Sequence, residues 1–132
     1  MRWTLIAAGL LGVVGVATGA FAAHGLEGWL QRQLVESEEL QKRIQQCDVA
    51  VRYHLLHALA LLALGVGATF QGRLMHAAGL FWVLGVCLFS GGLYSMVFLG
   101  AMGHWAIVPS GGLCFILGWT MILIQGLLKR NA

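Results

Sequence analysis

The chain has 132 residues, of which 59% are hydrophobic and 10% charged, with a formal net charge of +3. A soluble domain carries about a quarter charged residues, so this composition excludes a water-facing surface and leaves lipid as the solvent. The length limits the chain to one domain, and a positive balance this small and dispersed excludes a nucleic-acid partner.

The first apolar run extends from Trp3 to Ala23. Arg2 ahead of it and the small residues Ala20, Ala22 and Ala23 have the outline of a signal peptide. Its length argues for a span instead, because about 20 apolar residues cross a bilayer. Its small residues also recur along the run rather than cluster at a cleavage site. Gly15, Gly19 and Ala23 are spaced by four and share a face, which lets helix backbones approach closely in lipid.

The segment from Gly25 to Arg52 is polar and holds every acidic residue: Glu27, Glu36, Glu38, Glu39 and Asp48. Leu26, Trp29, Leu30 and Leu34 fall on one helical face. Leu40, Ile44, Cys47 and Val51 form a second stripe at spacings of three or four. This periodicity predicts one or two amphipathic helices that lie on the membrane surface or cap the bundle. A recognition helix for a partner protein is the sharper alternative.

The second span is expected over 53–70, followed by Gln71-Gly72-Arg73. The third is expected over 74–99 and the fourth over 105–128, ending at Lys129-Arg130. Backbone groups in lipid must be satisfied within their own segment, so all four are expected to be helices. Gly85, Gly91 and Gly92 in the third span and Gly111, Gly112 and Gly118 in the fourth suit tight packing, within one bundle or between copies. Ser90, Ser95, Thr69, Thr120 and Gln125 are too scattered to form the polar stripe of a channel. Val108-Pro109-Ser110-Gly111-Gly112 predicts a turn, a distorted first turn, or a re-entrant helix start. Cys47, Cys87 and Cys114 form no paired motif.

Four spans bring both ends of the chain to one side. Arg2, Arg73, Lys129 and Arg130 lie there; Arg32, Lys42, Arg43 and Arg52 lie in the insert. The four-to-four count is decided by position, since basic residues beside span ends weigh most. That weighting favours cytoplasmic termini and an insert on the outer side.

His24, His54, His57 and His104 all fall toward the insert side, and His76 toward the other. Neutral imidazole is a common metal ligand, and His pairs at helical spacing can share a metal. A transition-metal or haem site built on His24, His57 and His54 is therefore one reading. His57 is the deepest, and an ionisable group at depth is a functional candidate. The leading reading is structural: hydrogen bonds to a backbone carbonyl or to a tyrosine across helices, with Tyr53 and Tyr94 in reach. Proton relay or quinone contact is a third. No phosphate loop, nucleophile triad or working carboxylate pair accompanies these residues.

Four ordered motifs resemble one family. They are Gly19-Ala20-Phe21-Ala22-Ala23-His24-Gly25-Leu26, the run YHLLHALALL from Tyr53 to Leu62, Leu88-Phe89-Ser90-Gly91-Gly92-Leu93-Tyr94, and Pro109-Ser110-Gly111-Gly112 followed by Gly118-Trp119. The chain resembles, over nearly its whole length, the small bacterial inner-membrane proteins of domain of unknown function 423, which are similar to animal transmembrane protein 256. The resemblance implies a four-helix inner-membrane protein of uncharacterised activity. His54 stands where the family pattern has glutamine, Ala22 where it has glycine, and the polar insert is long. His24, His57 and Tyr94 are then the stronger site candidates.

The expectation is thus an all-α integral membrane four-helix bundle, one domain over 1–132, with an amphipathic helical insert over 25–52. The candidate polar or metal site is His24, His54, His57, Tyr94 and His104. The candidate packing residues are Gly15, Gly19, Ala23, Gly91, Gly92, Gly111 and Gly112. The leading function is a non-enzymatic scaffold or accessory subunit of a membrane complex, with lipid and a homo-oligomer or larger complex as partners. The alternatives are a metal- or haem-binding redox or sensing protein and a small-solute transporter formed by oligomerisation.

Overall fold

The computed structural model describes residues 2–33, 35–67, 72–101 and 104–129, with the backbone alone for Lys129. Leu34 of the first stripe, Thr69, Phe70, Gln71, Gly103 and Arg130 lie outside the described residues. Among the described residues all regular structure is helical: α1 (Arg2–His24), α2 (Leu26–Arg32), α3 (Ser37–Val66), α4 (Arg73–Gly85), a π-helical turn (Val86–Ser90), α5 (Gly91–Leu99) and α6 (Ile107–Lys129). Four helical stretches are long and apolar enough to cross a membrane: Arg2–His24, Ser37–Val66, Arg73–Leu99 and Ile107–Leu128.

The insert is not separate from the bundle. Its second stripe and the second span form one helix, α3, of 30 residues. At 1.5 Å per residue that is about 45 Å, longer than the roughly 30 Å of hydrocarbon. The excess turns carry Leu40 and Cys47, which are buried with Leu26 and Leu30 of α2 and Val97 of α5. Ala22, Trp29, Ile44, Val51, Tyr94 and Phe98 pack around them. The amphipathic faces thus cap one end of the bundle with a hydrophobic core of their own.

A second core lies within the spans, built on Ala8, Leu61, Leu64, Met75, Trp82, Val86 and Phe115. α1 packs along α3, α4 packs along α6, and α3 joins the two pairs through α5 and the π turn. The seam of α4 and the π turn against α6 is a close backbone approach. A Cβ on Gly111 would meet the backbone of Phe89, and one on Gly85 would stand 2.5 Å from the Phe115 ring. Lipid removes the hydrophobic drive for helix association, so approach of this kind has to come from small residues.

The ends of the helices follow local chemistry. Gly100 closes α5 in the left-handed conformation, φ 65°, which glycine adopts without a Cβ penalty. The Arg43 guanidinium reaches the same end and donates to the Val97 carbonyl (3.4 Å) and to Glu39 (3.1 Å). A cation there complements the helix dipole. Pro109 is the third residue of α6, where a missing amide hydrogen costs nothing. The Ser110 amide already bonds the Ala106 carbonyl at 2.9 Å. The segment Val108–Gly112 is therefore a regular helix start, not the turn or re-entrant start that its composition suggested.

Candidate functional site

α3 carries His54 and His57 three residues apart, and both are almost wholly buried, at 2% and 1% exposure. His57 Nδ1 lies 2.8 Å from the carbonyl of Tyr53, one turn back on the same helix. Trp119 of α6 donates its indole N–H to His57 Nε2 at 3.2 Å. A carbonyl only accepts and an indole only donates, so the partners assign the ring as the neutral Nδ1–H tautomer. The imidazole also stacks on Phe115, with ring centroids 3.6 Å apart and planes 9° from parallel. Tyr53, Phe89, Trp82 and Trp119 complete an aromatic cluster around it. Every hydrogen-bonding position of His57 is taken.

His54 points about 60° around α3 from His57. Its Nδ1 is 3.2 Å from the Tyr94 hydroxyl on α5. Its Nε2 is buried and makes no hydrogen bond among the described residues. Gly15 makes room for Leu55 beside it: a Cβ there would stand 2.6 Å from the Leu55 side chain, and at ordinary contact distance, 3.5 Å, from the His54 ring. Below this pair, buried Ser90 in the π turn donates to the Ala50 carbonyl of α3 at 2.9 Å. His54, His57 and Ser90 therefore tie α3 to α5, α6 and the π turn.

The other histidines stand apart. His24 is exposed and lines a surface cleft with Glu27, Gly28, Gln31 and Ile44. His104 is exposed before α6, where its Nδ1 accepts the Ala106 amide hydrogen at 3.3 Å. His76, at the opposite end, accepts the Trp3 indole N–H at 2.9 Å. The structure thus brings His54 to Tyr94 and His57 to Trp119, and leaves His24 and His104 at the surface. Among the described residues no three His, Cys, Asp or Glu side chains gather into a metal-binding group.

Of the candidate packing residues, Gly15, Gly19, Gly92 and Gly111 sit against neighbouring helices, Gly19 against Val51 and Gly92 against Val108. Ala23 is exposed. Around Gly91 and Gly112 the nearest atoms lie at ordinary contact distance, 3.9 Å. Sequence reasoning missed Gly65 and Gly79, which admit Leu5 and Trp3 of α1. It also passed over Arg43, and over Trp119 as a histidine partner. A tryptophan in an apolar helix carries no local sign of what its N–H meets.

Two clefts flank the aromatic cluster between α3 and α6. One, of about 430 Å³, is lined by Tyr53, Leu56, His57, Pro109 and Leu113 among others. The other, of about 380 Å³, lies on the far side of Trp119, over Met75 and Trp82.

The model of the family described as protein of unknown function (DUF423) matches residues 18–112. A UPF0382 membrane protein of Staphylococcus haemolyticus is 37% identical over 125 residues, covering 95% of each chain. A UPF0382 membrane protein of Haemophilus influenzae is 34% identical, covering 90% of this chain and 87% of the relative. A UPF0382 inner membrane protein of Escherichia coli is 34% identical, covering 98% and 94%. No solved structure gives a significant match.

Proposed function

This chain belongs to the DUF423 family of small membrane proteins, and from that premise we propose that it is a non-enzymatic accessory subunit or scaffold of a membrane complex. The bonding of His57 carries this reading. The deepest ionisable group in the spans has both nitrogens engaged in holding helices together. A catalytic or ligating imidazole needs a free nitrogen.

α1 supplies the face for a partner. Only 11% of its span is buried, against 22% to 39% in the other three. Ile6, Leu10, Val13 and Val16 are exposed along it, and nothing lies within 4 Å of where a Cβ on Gly9 or Gly12 would stand. Small residues beside exposed aliphatics suit a second helix. In the same reading the insert faces the outer side and both termini the cytoplasm, because Arg2 and Arg73 abut spans.

Extraction into native lipid nanodiscs, with a photo-crosslinking residue at Val13, tests the role. The expected result is one defined protein band, stoichiometric with the complex, and its loss in Gly12→Leu while the helical content is unchanged. A monomer whose Val13 adducts are lipid alone overturns the reading.

A further inference from the structure

Among the described residues three histidines bond across helices: His54 to Tyr94, His57 to Trp119 and His76 to Trp3. The rings of His54 and His57 are buried, whereas His76 is exposed in the first turn of α4. It stands three residues beyond Arg73, about 4.5 Å along the helix, so it lies near the headgroup level and protons reach it.

This bond is also the polar tie between two elements that otherwise meet little. The α1 and α4 backbones scarcely approach each other. Their junction is built from side chains in the first turn of α1. Trp3 lies over Gly79, where a Cβ would stand 2.8 Å from the indole ring and 3.5 Å from the Thr4 side chain. The indole N–H donates to His76 Nε2 at 2.9 Å, with the ring centroids 5.7 Å apart. An indole N–H only donates, and an imidazole accepts only through an unprotonated nitrogen. The bond therefore exists only while His76 is neutral.

The charges at this end offer an imidazolium nothing in exchange. Arg2 precedes Trp3 on α1, and Arg73 lies one turn before His76 on α4. From Ala58 to Gly67 the end of α3 brings no titratable side chain, and α6 leads into Lys129 and Arg130. All five acidic residues belong to the insert, at the other end of the spans.

We propose that the Trp3–His76 bond is a proton-sensitive latch between α1 and α4. Protonation places a hydrogen on Nε2, the indole N–H loses its acceptor, and Trp3 leaves Gly79 for the membrane interface, where tryptophan is favoured. Imidazole is the side chain whose charge ordinarily changes between about pH 5 and 8. Release stops at the first turn of α1, because Leu5 stays seated on Gly65 and Gly15 on Leu55 of α3. The proposal stands independently of the accessory-subunit reading.

The test is NMR of the full chain in micelles with 15N-labelled tryptophan, the Trp3 indole signal being assigned by its loss in Trp3→Phe. In the wild type this signal is expected to move upfield along a one-proton titration curve from about pH 8 to about pH 5. His76→Gln supplies an acceptor that does not titrate, and should hold the signal at its bonded position throughout. His76→Phe supplies none, and should place the signal at its acid position at every pH. A Trp3 signal that stays still in the wild type overturns the proposal, and so does a titration that persists in His76→Gln.

Discussion

His57 spends its Nδ1 hydrogen on the Tyr53 carbonyl and its Nε2 lone pair on the Trp119 indole. The second bond crosses from α3 to α6 beside the His57–Phe115 stack, so it should be measurable as a coupling. His57→Phe retains a ring against Phe115 but strands the indole N–H, and Trp119→Phe strands Nε2. Each single change is expected to cost about 1 kcal/mol, and the double mutant less than their sum, with a coupling of about 0.6–1.7 kcal/mol. Unfolding in mixed micelles of the two single variants and the double variant would measure it; strictly additive losses would show that the bond contributes nothing. The sequence marks His57 as unusual, because an imidazole a turn deep in an apolar helix is expensive. A backbone carbonyl was among its expected partners, and the Tyr53 carbonyl is one, but the Trp119 indole was not legible. Tyr53 and Tyr94 were the polar rings nearest in pattern, and Tyr94 does meet a histidine, but His54 and not His57. Which of two histidines three residues apart faces which neighbour depends on the rotation of α3, and three positions along a helix differ by about 60°.

At the level of elements, the π turn Val86–Ser90 sets the contacts on either side of it. It presents Ser90 to α3 and the backbone of Phe89 to Gly111 on α6. Such a turn is one extra residue in a helical ladder, and nothing in Val-Cys-Leu-Phe-Ser announces it, so the third span was legible as a helix but not as an interrupted one. Glycine spacing was legible as packing, yet not as a ranking. Gly111 faces backbone, which has nowhere to go, whereas Gly9 faces open space. Gly111→Ala should therefore destabilise by about 3 kcal/mol, the upper end of overpacking. Gly9→Ala should cost nothing and gain up to about 1 kcal/mol of helix propensity. Thermal unfolding of the two variants in one detergent compares them directly, and equal effects would mean that the seam between the π turn and α6 is not a tight one.

For the whole molecule, hydropathy made the four spans legible, because a 20-residue apolar run has few other uses. The amphipathic stripes were legible as faces. That Leu40 and Cys47 would bury against Val97 was not, since it requires α3 and α5 to rise beyond the hydrocarbon together. This cap bears on orientation. Lys42, Arg43 and Arg52 are tied to Glu39 and Asp48 within the insert, and the neighbouring Arg43 guanidinium holds the Glu39 carboxyl below the usual carboxylate range. The proposed arrangement then puts the ion-paired cap outside and, inside, Arg2 and Arg73, which pair with no carboxylate among the described residues and stand beside span ends, where basic residues weigh most. Glu36 is exposed just ahead of α3, which makes it the reporter. With Cys47, Cys87 and Cys114 replaced, Glu36→Cys should react with a membrane-impermeant maleimide in intact spheroplasts. Labelling only after the membrane is opened would place the cap in the cytoplasm and reverse the orientation. In that case the neutralising pairs within the insert, and not the charges beside the span ends, would be the feature that decides how the chain inserts.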